Sequence, residues 1–293
     1  MYPAGVEGIV VRRIVVRDGV ALRVLEAGPR GKLTALLLHG WASSVYSFAE
    51  TIPALAAAGY RVVAVDLPGH GLSDKPIAPE CYSVPAMTDA VAAVMADCGV
   101  ERCVMVAHSM SGAIALEMAG RGDSRLSGVV FIGAVGVGRV PLAPVARLLT
   151  PRFAVAALPP LLGRGLAGLV ASFAFGTRER PTPRDVDEYW APTQFDGFAR
   201  ALVSCLHRAN WHREPVEFLR AFSLPTLVIA GTRDRVVWGV AGGGRMVAGA
   251  RVVEVPGAGH LVMQESAAVV NALLLDFLGQ LRSSKTEAIT TLG

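Results

Sequence analysis

Charge is scarce in this chain. Of its 293 residues, 18% are Asp, Glu, Lys or Arg while 52% are hydrophobic, a balance that excludes an intrinsically disordered protein. The net charge of +4 is spread out, and no run of Lys and Arg supplies the basic stripe that nucleic-acid binding needs. The four cysteines, Cys81, Cys98, Cys103 and Cys205, show no Cys-x-x-Cys spacing. Cys98 falls near a helix end and Cys103 in a strand pattern, so buried free thiols are expected in place of a disulfide frame. His, Asp and Glu do not cluster at metal-ligand spacing, no dinucleotide or phosphate loop stands in context, and Gly242-Gly-Gly-Arg245 reads as flexible backbone. No cofactor is expected. The first eight residues lack a basic region leading into an apolar core. The most apolar stretch, residues 126–176, is broken by Arg139, Arg147, Arg152 and Arg164, which excludes stable membrane insertion. A soluble protein of a reducing, cytoplasmic compartment is the expectation.

What is present is a rhythm. Residues 9–17 and 20–27 form a hairpin pattern around Asp18-Gly19. Residues 33–38 make a short, nearly all-apolar strand of the kind covered on both faces. A helix over 46–58 closed by Gly59, a buried strand over 61–65 and a helix over 84–98 before Gly99 follow. Then come a strand (102–107), a helix (110–119) and another strand (128–132). Strands alternating with helices at this spacing predict an α/β fold, a mostly parallel central sheet covered by helices on both faces. Between residues 136 and 211 prolines cluster and Leu/Ala-rich pieces replace the strands, which reads as an inserted helical cap. Strand patterns resume at 226–230 and 252–255. A last helix spans 267–281, and the polar tail from Arg282 is expected to fray. The core is thus residues 1–135 with 212–293, and the cap 136–211.

The most informative segment is Val104-Met-Val-Ala-His-Ser-Met-Ser-Gly-Ala-Ile114. An apolar strand pattern enters a stretch of small residues around Ser109, and a helical pattern leaves it. This is how a nucleophile elbow reads: small–x–Ser–x–small at a sharp strand-to-helix turn that lifts one hydroxyl clear of the backbone. Ala107 and Ser111 hold the small positions, where two glycines are usual. A serine hydroxyl is a poor nucleophile until a base takes its proton, so a histidine and an orienting acid must follow elsewhere.

Four landmarks stand in register along nearly the whole chain: His39-Gly40, Asp66-Leu-Pro-Gly-His-Gly-Leu-Ser-Asp74, the elbow at Ser109, and the loops Gly231/Asp234 and Gly259-His260. With them the chain resembles the serine-dependent α/β-hydrolase family. The resemblance implies the order nucleophile, acid, histidine. His260 is the last histidine, on a Gly-rich loop after a strand. The loop after strand 128–132 holds no carboxylate, and Asp234 is the only one in the loop after strand 226–230, so Asp234 is the acid. The backbone N–H groups of Met110, directly after the serine, and Trp41, after Gly40, are the expected oxyanion hole. Gly40, Trp41, Val236 and Leu261 are candidate pocket residues. The resemblance also implies a structural role for Asp66 and His70 beside the site. His108 is expected to point away from the chemistry, and His207 and His212 to be satisfied surface groups.

A Ser109–His260–Asp234 triad implies acyl-enzyme chemistry of the carboxylesterase kind. Relatives with an aspartate nucleophile, epoxide hydrolases and dehalogenases, are disfavoured because position 109 is serine. The cap's Leu142, Val145, Leu148, Leu149, Phe153, Leu158, Leu161, Leu162, Leu166, Leu169, Phe173 and Phe175 point to an apolar acyl pocket or a face in peripheral contact with lipid, or they merely pack on the core. The expected partner is a small-to-medium apolar ester. Carbon–carbon, lactone or thioester hydrolysis, a step in a biosynthetic pathway, and a non-catalytic ligand-binding role remain as alternatives.

Overall fold

The computed structural model describes residues 1–31, 33–151, 155, 162–177 and 179–290, with side chains to Arg282. In chain order it contains β1 (Ile9–Val15), β2 (Ala21–Ala27), β3 (Thr34–Leu38), α1 (Thr51–Ala57), β4 (Arg61–Val65), α2 (Val84–Asp97), β5 (Cys103–His108), α3 (Ser111–Gly120) and β6 (Leu126–Ile132). Then follow α4 (Ala143–Leu149), α5 (Arg164–Ala174), α6 (Pro183–Trp190), α7 (Phe198–Arg208), α8 (Val216–Ala221), β7 (Thr226–Gly231), α9 (Val240–Gly244), β8 (Arg251–Val255), α10 (Val262–Glu265) and α11 (Ala267–Thr290). The described strands form one eight-stranded sheet in the order β1-β2-β4-β3-β5-β6-β7-β8. The β1–β2 and β2–β4 pairs are antiparallel and all others parallel. This is the expected α/β architecture.

The continuous apolar strands are explained by coverage of both faces. Leu36, Leu38, Val63, Val65, Met105 and Ala107 face α2 and α3 through Val91, Val94, Ile114 and Leu116. Their alternates Ala35, Leu37, Val62, Ala64, Val104 and Val106 face α1 and α11 through Ile52, Leu55, Val270 and Leu274. Register then sets the site: Leu38 pairs with Ala107, and Ala107 with Phe131, so the carboxyl ends of β3, β5 and β6 come level at one edge. Ligand sites of open α/β sheets form at that edge.

Three local expectations are corrected. The helix over 46–58 divides into a 3-10 turn, Val45–Phe48, started by Ser44, and α1. Pro53 is the cause: without an N–H it fits the first turn of a helix and not its interior. The chain from Arg282 does not fray at once, since α11 runs on to Thr290, and residues 283–290 contain no Gly or Pro to stop it. Gly242-Gly-Gly-Arg245 is no flexible loop but the end of the buried helix α9, where a Cβ on Gly244 would meet the Val228 side chain at 2.9 Å. All four cysteines are free, and burial raises the Cys103 thiol to about 12.

Between β6 and β7 the described residues hold helices and no strand of the sheet. The two ends of this segment meet: Val140 N–H donates to Trp211 O at 3.0 Å and Glu214 N–H to Gly136 O at 2.7 Å. The helix α7 returns to the sheet edge, where the indole N–H of Trp41 donates to Leu202 O at 3.0 Å. No described helix is long and apolar enough to cross a membrane.

Candidate active site

β5 ends at His108, and the next residue, Ser109, has φ +54°, a left-handed conformation uncommon for a residue with a Cβ. The turn is braced on both sides. Ser109 N–H donates to Ile132 O at 3.1 Å, and Ser109 O accepts from Gly112 N and Val135 N at 3.0 and 2.9 Å. The hydroxyl itself makes no hydrogen bond among the described residues. Gly40 approaches it from β3, and a Cβ there would lie 2.7 Å from Ser109 Cβ and 3.2 Å from Oγ. Only glycine permits that approach.

Asp234 and His260 are brought together from the ends of β7 and β8. His260 Nδ1 lies 2.9 Å from Asp234 Oδ2, with both side chains under a tenth exposed. The second carboxylate oxygen accepts the N–H groups of Val236 and Val237 at 2.8 and 2.9 Å. A carboxylate held this way fixes the proton on Nδ1 and leaves Nε2 with a lone pair, the form a general base requires.

The loop after β3 is equally constrained. The His39 ring has Nδ1 2.7 Å from Gly40 O and Nε2 3.0 Å from Leu67 N, whose N–H donates to it. The proton therefore sits on Nδ1, and burial lowers the pKa of this ring. Among the described residues neither Trp41 N–H nor Met110 N–H donates a hydrogen bond. Backbone donors left free beside a serine are what an oxyanion hole would require.

His108 does not point away from the site. Its Nε2–H donates to His260 O at 3.1 Å, and the two ring centroids are 4.7 Å apart. Burial first, and then the neighbouring His260, push its pKa well below the ordinary value, so it is a neutral donor. The His260 peptide is held on its other side too, since its N–H donates to Ala174 O at the end of α5 at 2.8 Å. Glu265 completes this junction by accepting from Gly259 N at 2.9 Å and from Gly176 and Thr177 N at 2.8 and 3.0 Å. Sequence reading missed Glu265; its position five residues after His260, on the helix leaving the loop, is the only signal for it.

Asp66 behaves as a hub of the neighbouring loop. Its carboxylate accepts from Arg23 Nε at 2.6 Å and from the N–H groups of Val45 and Leu72 at 2.8 Å each. His70 is buried next to His39, and desolvation lowers its pKa to about 3. His207 Nε2 is satisfied by Thr150 O at 3.0 Å, and His212 lies on the surface. Of the pocket candidates, Gly40 and Trp41 adjoin Ser109 and α7. Leu261 is buried in the core cluster under α11, and Val236 packs on the opposite cluster.

The large apolar side chains in and around α4 and α5 do not behave as core. Leu142, Val145, Leu148, Leu149, Leu166, Leu169 and Phe173 are exposed, Leu148 by 80%, while Phe175 is buried. Phe153, Leu158 and Leu161 lie outside the described residues.

A mostly parallel sheet with a serine on the turn after a central strand, and an Asp–His pair on the loops after its last two strands, defines a class of hydrolytic architecture. Residues 36–267 match the profile of the alpha/beta hydrolase fold, and the chain belongs to that family. It is similar to Epoxide hydrolase A of Mycobacterium tuberculosis (strain ATCC 25618 / H37Rv), with 29% identity over 92% of this chain and 98% of that protein. The Magnesium-chelatase 30 kDa subunit of Rhodobacter capsulatus is 31% identical over 87% of this chain and 90% of its own length. Among solved structures, the enol-lactonase from Burkholderia xenovorans LB400 superposes with a TM-score of 0.75 at 23% identity, covering 92% of this chain and all of that one.

Proposed function

We propose that this protein is a serine hydrolase that acts through an acyl-enzyme on a small-to-medium apolar carboxylic ester, with residues 136–211 as a cap over the site. The reading rests on one observation above others: a serine with positive φ at the elbow, an imidazole oriented by Asp234 on the loops after the last two strands, and backbone N–H groups at Trp41 and Met110 with no acceptor among the described residues. In the reaction His260 Nε2 takes the Ser109 hydroxyl proton as Oγ attacks the carbonyl carbon. Trp41 and Met110 N–H groups hold the oxyanion, and His260 passes its proton to the departing alcohol. Water, deprotonated by the same nitrogen, then attacks the acyl carbon, and Ser109 leaves with its proton restored. Asp234 offsets the imidazolium charge and takes no proton.

The names of similar proteins span epoxide, lactone and chelatase-associated roles, and a fold does not carry its chemistry with it. Serine at position 109 favours acyl transfer over epoxide opening by an aspartate. Lactone, thioester or carbon–carbon substrates use the same constellation. The free thiols support a reducing, cytoplasmic setting. The outward placement of Leu148, Leu149 and Leu169 supports peripheral contact of the cap with lipid over a role in an enclosed acyl pocket.

Hydrolysis of p-nitrophenyl esters from acetate to palmitate, by wild type and Ser109→Ala, tests the reading. A chain-length optimum lost in the variant is the expected result. Turnover that survives Ser109→Ala, or none at any length, overturns the ester assignment.

A further inference from the structure

Ser111 departs from the elbow pattern of the family, and its side chain has a task that glycine cannot perform. We propose that Ser111 is a positioning residue for the oxyanion hole, tethering the loop of Trp41 to the helix of Met110; this rests on the serine-hydrolase reading above. The position is fully buried, where a hydroxyl without a partner is costly. Its partner is the carbonyl of His39, to which Ser111 Oγ donates.

His39 is the joint through which the tether acts. Its backbone carbonyl is held by Ser111, and its ring is held at Nε2 by the Leu67 N–H. Its Nδ1–H grips Gly40 O at 2.7 Å. Across a trans peptide the C=O and N–H point in opposite directions, so fixing Gly40 O aims the Trp41 N–H the other way. That N–H has no acceptor among the described residues. The second donor, Met110 N–H, belongs to the residue directly before Ser111. One hydroxyl thus links the segments that carry both donors. Preorganised donors cost no rearrangement as the oxyanion develops, which is where their catalytic value lies. Ala107, the other departure from the pattern, is small and apolar and has no such partner. Ser111 is therefore more than a small residue standing in for glycine.

The test compares Ser111→Ala and Ser111→Gly with wild type, because both remove the hydroxyl and only the second restores the family pattern. The tether predicts that both lower kcat by about 10- to 100-fold with KM little changed, the cost of misaligned donors. Both should slow phosphonylation of Ser109 by a fluorophosphonate, whose addition also develops an oxyanion. Amide hydrogen exchange at residues 39–42 should rise in both variants, with residues 104–107 unchanged. Wild-type rates in Ser111→Gly would mean that position 111 needs only to be small, and would overturn the proposal. Unchanged exchange at 39–42 would overturn it as well. If wild type neither hydrolyses esters nor accepts the fluorophosphonate, the serine-hydrolase reading falls, while the exchange comparison still decides whether the tether exists.

Discussion

Gly133 follows β6 with φ +51°, and a Cβ there would lie 3.2 Å from both Asp234 Oδ2 and His260 Nδ1. Replacing it with alanine therefore strains the backbone by about 1–2 kcal/mol and presses a methyl group against the acid–base pair. Gly133→Ala is expected to lower kcat by about 100-fold, the scale of an ångström-sized misplacement. Its secondary structure by circular dichroism should be unchanged; full activity in this variant would show that the pair tolerates displacement. His108 teaches a related lesson at the same scale. Its place before the serine was plain in the sequence, but its direction was not. Alternation along β5 puts it on the face of Val104 and Val106, and the His260 loop covers that face only because β8 and α10 are folded against it.

At the scale of elements, α5 and the loop of His260 share one fastening. The end of α5 bonds to His260 N–H, and Glu265 at the end of α10 accepts from Gly176, Thr177 and Gly259. Glu265→Ala leaves three N–H groups without their acceptor, which costs about 1–3 kcal/mol. Urea unfolding should report that loss, and kcat should fall because the backbone carrying His260 loosens. Stability and kcat both equal to wild type would mean that water replaces the carboxylate without consequence. No periodicity in the sequence announces such a junction, since it joins backbone groups and a carboxylate from residues up to 89 positions apart. The strands and most helices, by contrast, were legible, because apolar runs bounded by Gly and Pro are local signals. The helix over 46–58 failed where one proline overrode the apolar pattern.

For the molecule as a whole, three buried histidines set the response to acid. His39, His70 and His108 are all held neutral by burial. His70 has a folded pKa near 3 against an ordinary 6.5, so the unfolded chain binds the proton first. Its contribution is complete above pH 6.5 and declines as pH falls from there toward 3. For His70 alone the loss by pH 5 is about 2 kcal/mol, and the other two act in the same direction. Urea midpoints at pH 7.5 and pH 5 should differ accordingly, and equal midpoints would show that these rings accept protons without unfolding. The exposed leucines of α4 and α5 make a second prediction at this scale. Cosedimentation with phospholipid vesicles should be weakened by Leu148→Ser with Leu169→Ser, and a wild type that never cosediments removes the lipid reading.

By itself the sequence determined the α/β class and the strand-to-helix turn at Ser109, and it singled out Asp234 and His260 as candidate partners of that serine. Each of these is written in a few contiguous residues, as period, small-residue spacing or order along the chain. Only the tertiary structure decided that Asp234 and His260 lie 2.9 Å apart, that His108 holds the His260 peptide, that Ser111 bonds to His39, and that the leucines of α4 and α5 face outward. These depend on which strand ends become level when the sheet assembles and on which backbone groups are left needing partners there. That is a property of contacts between distant segments, and no local pattern encodes it.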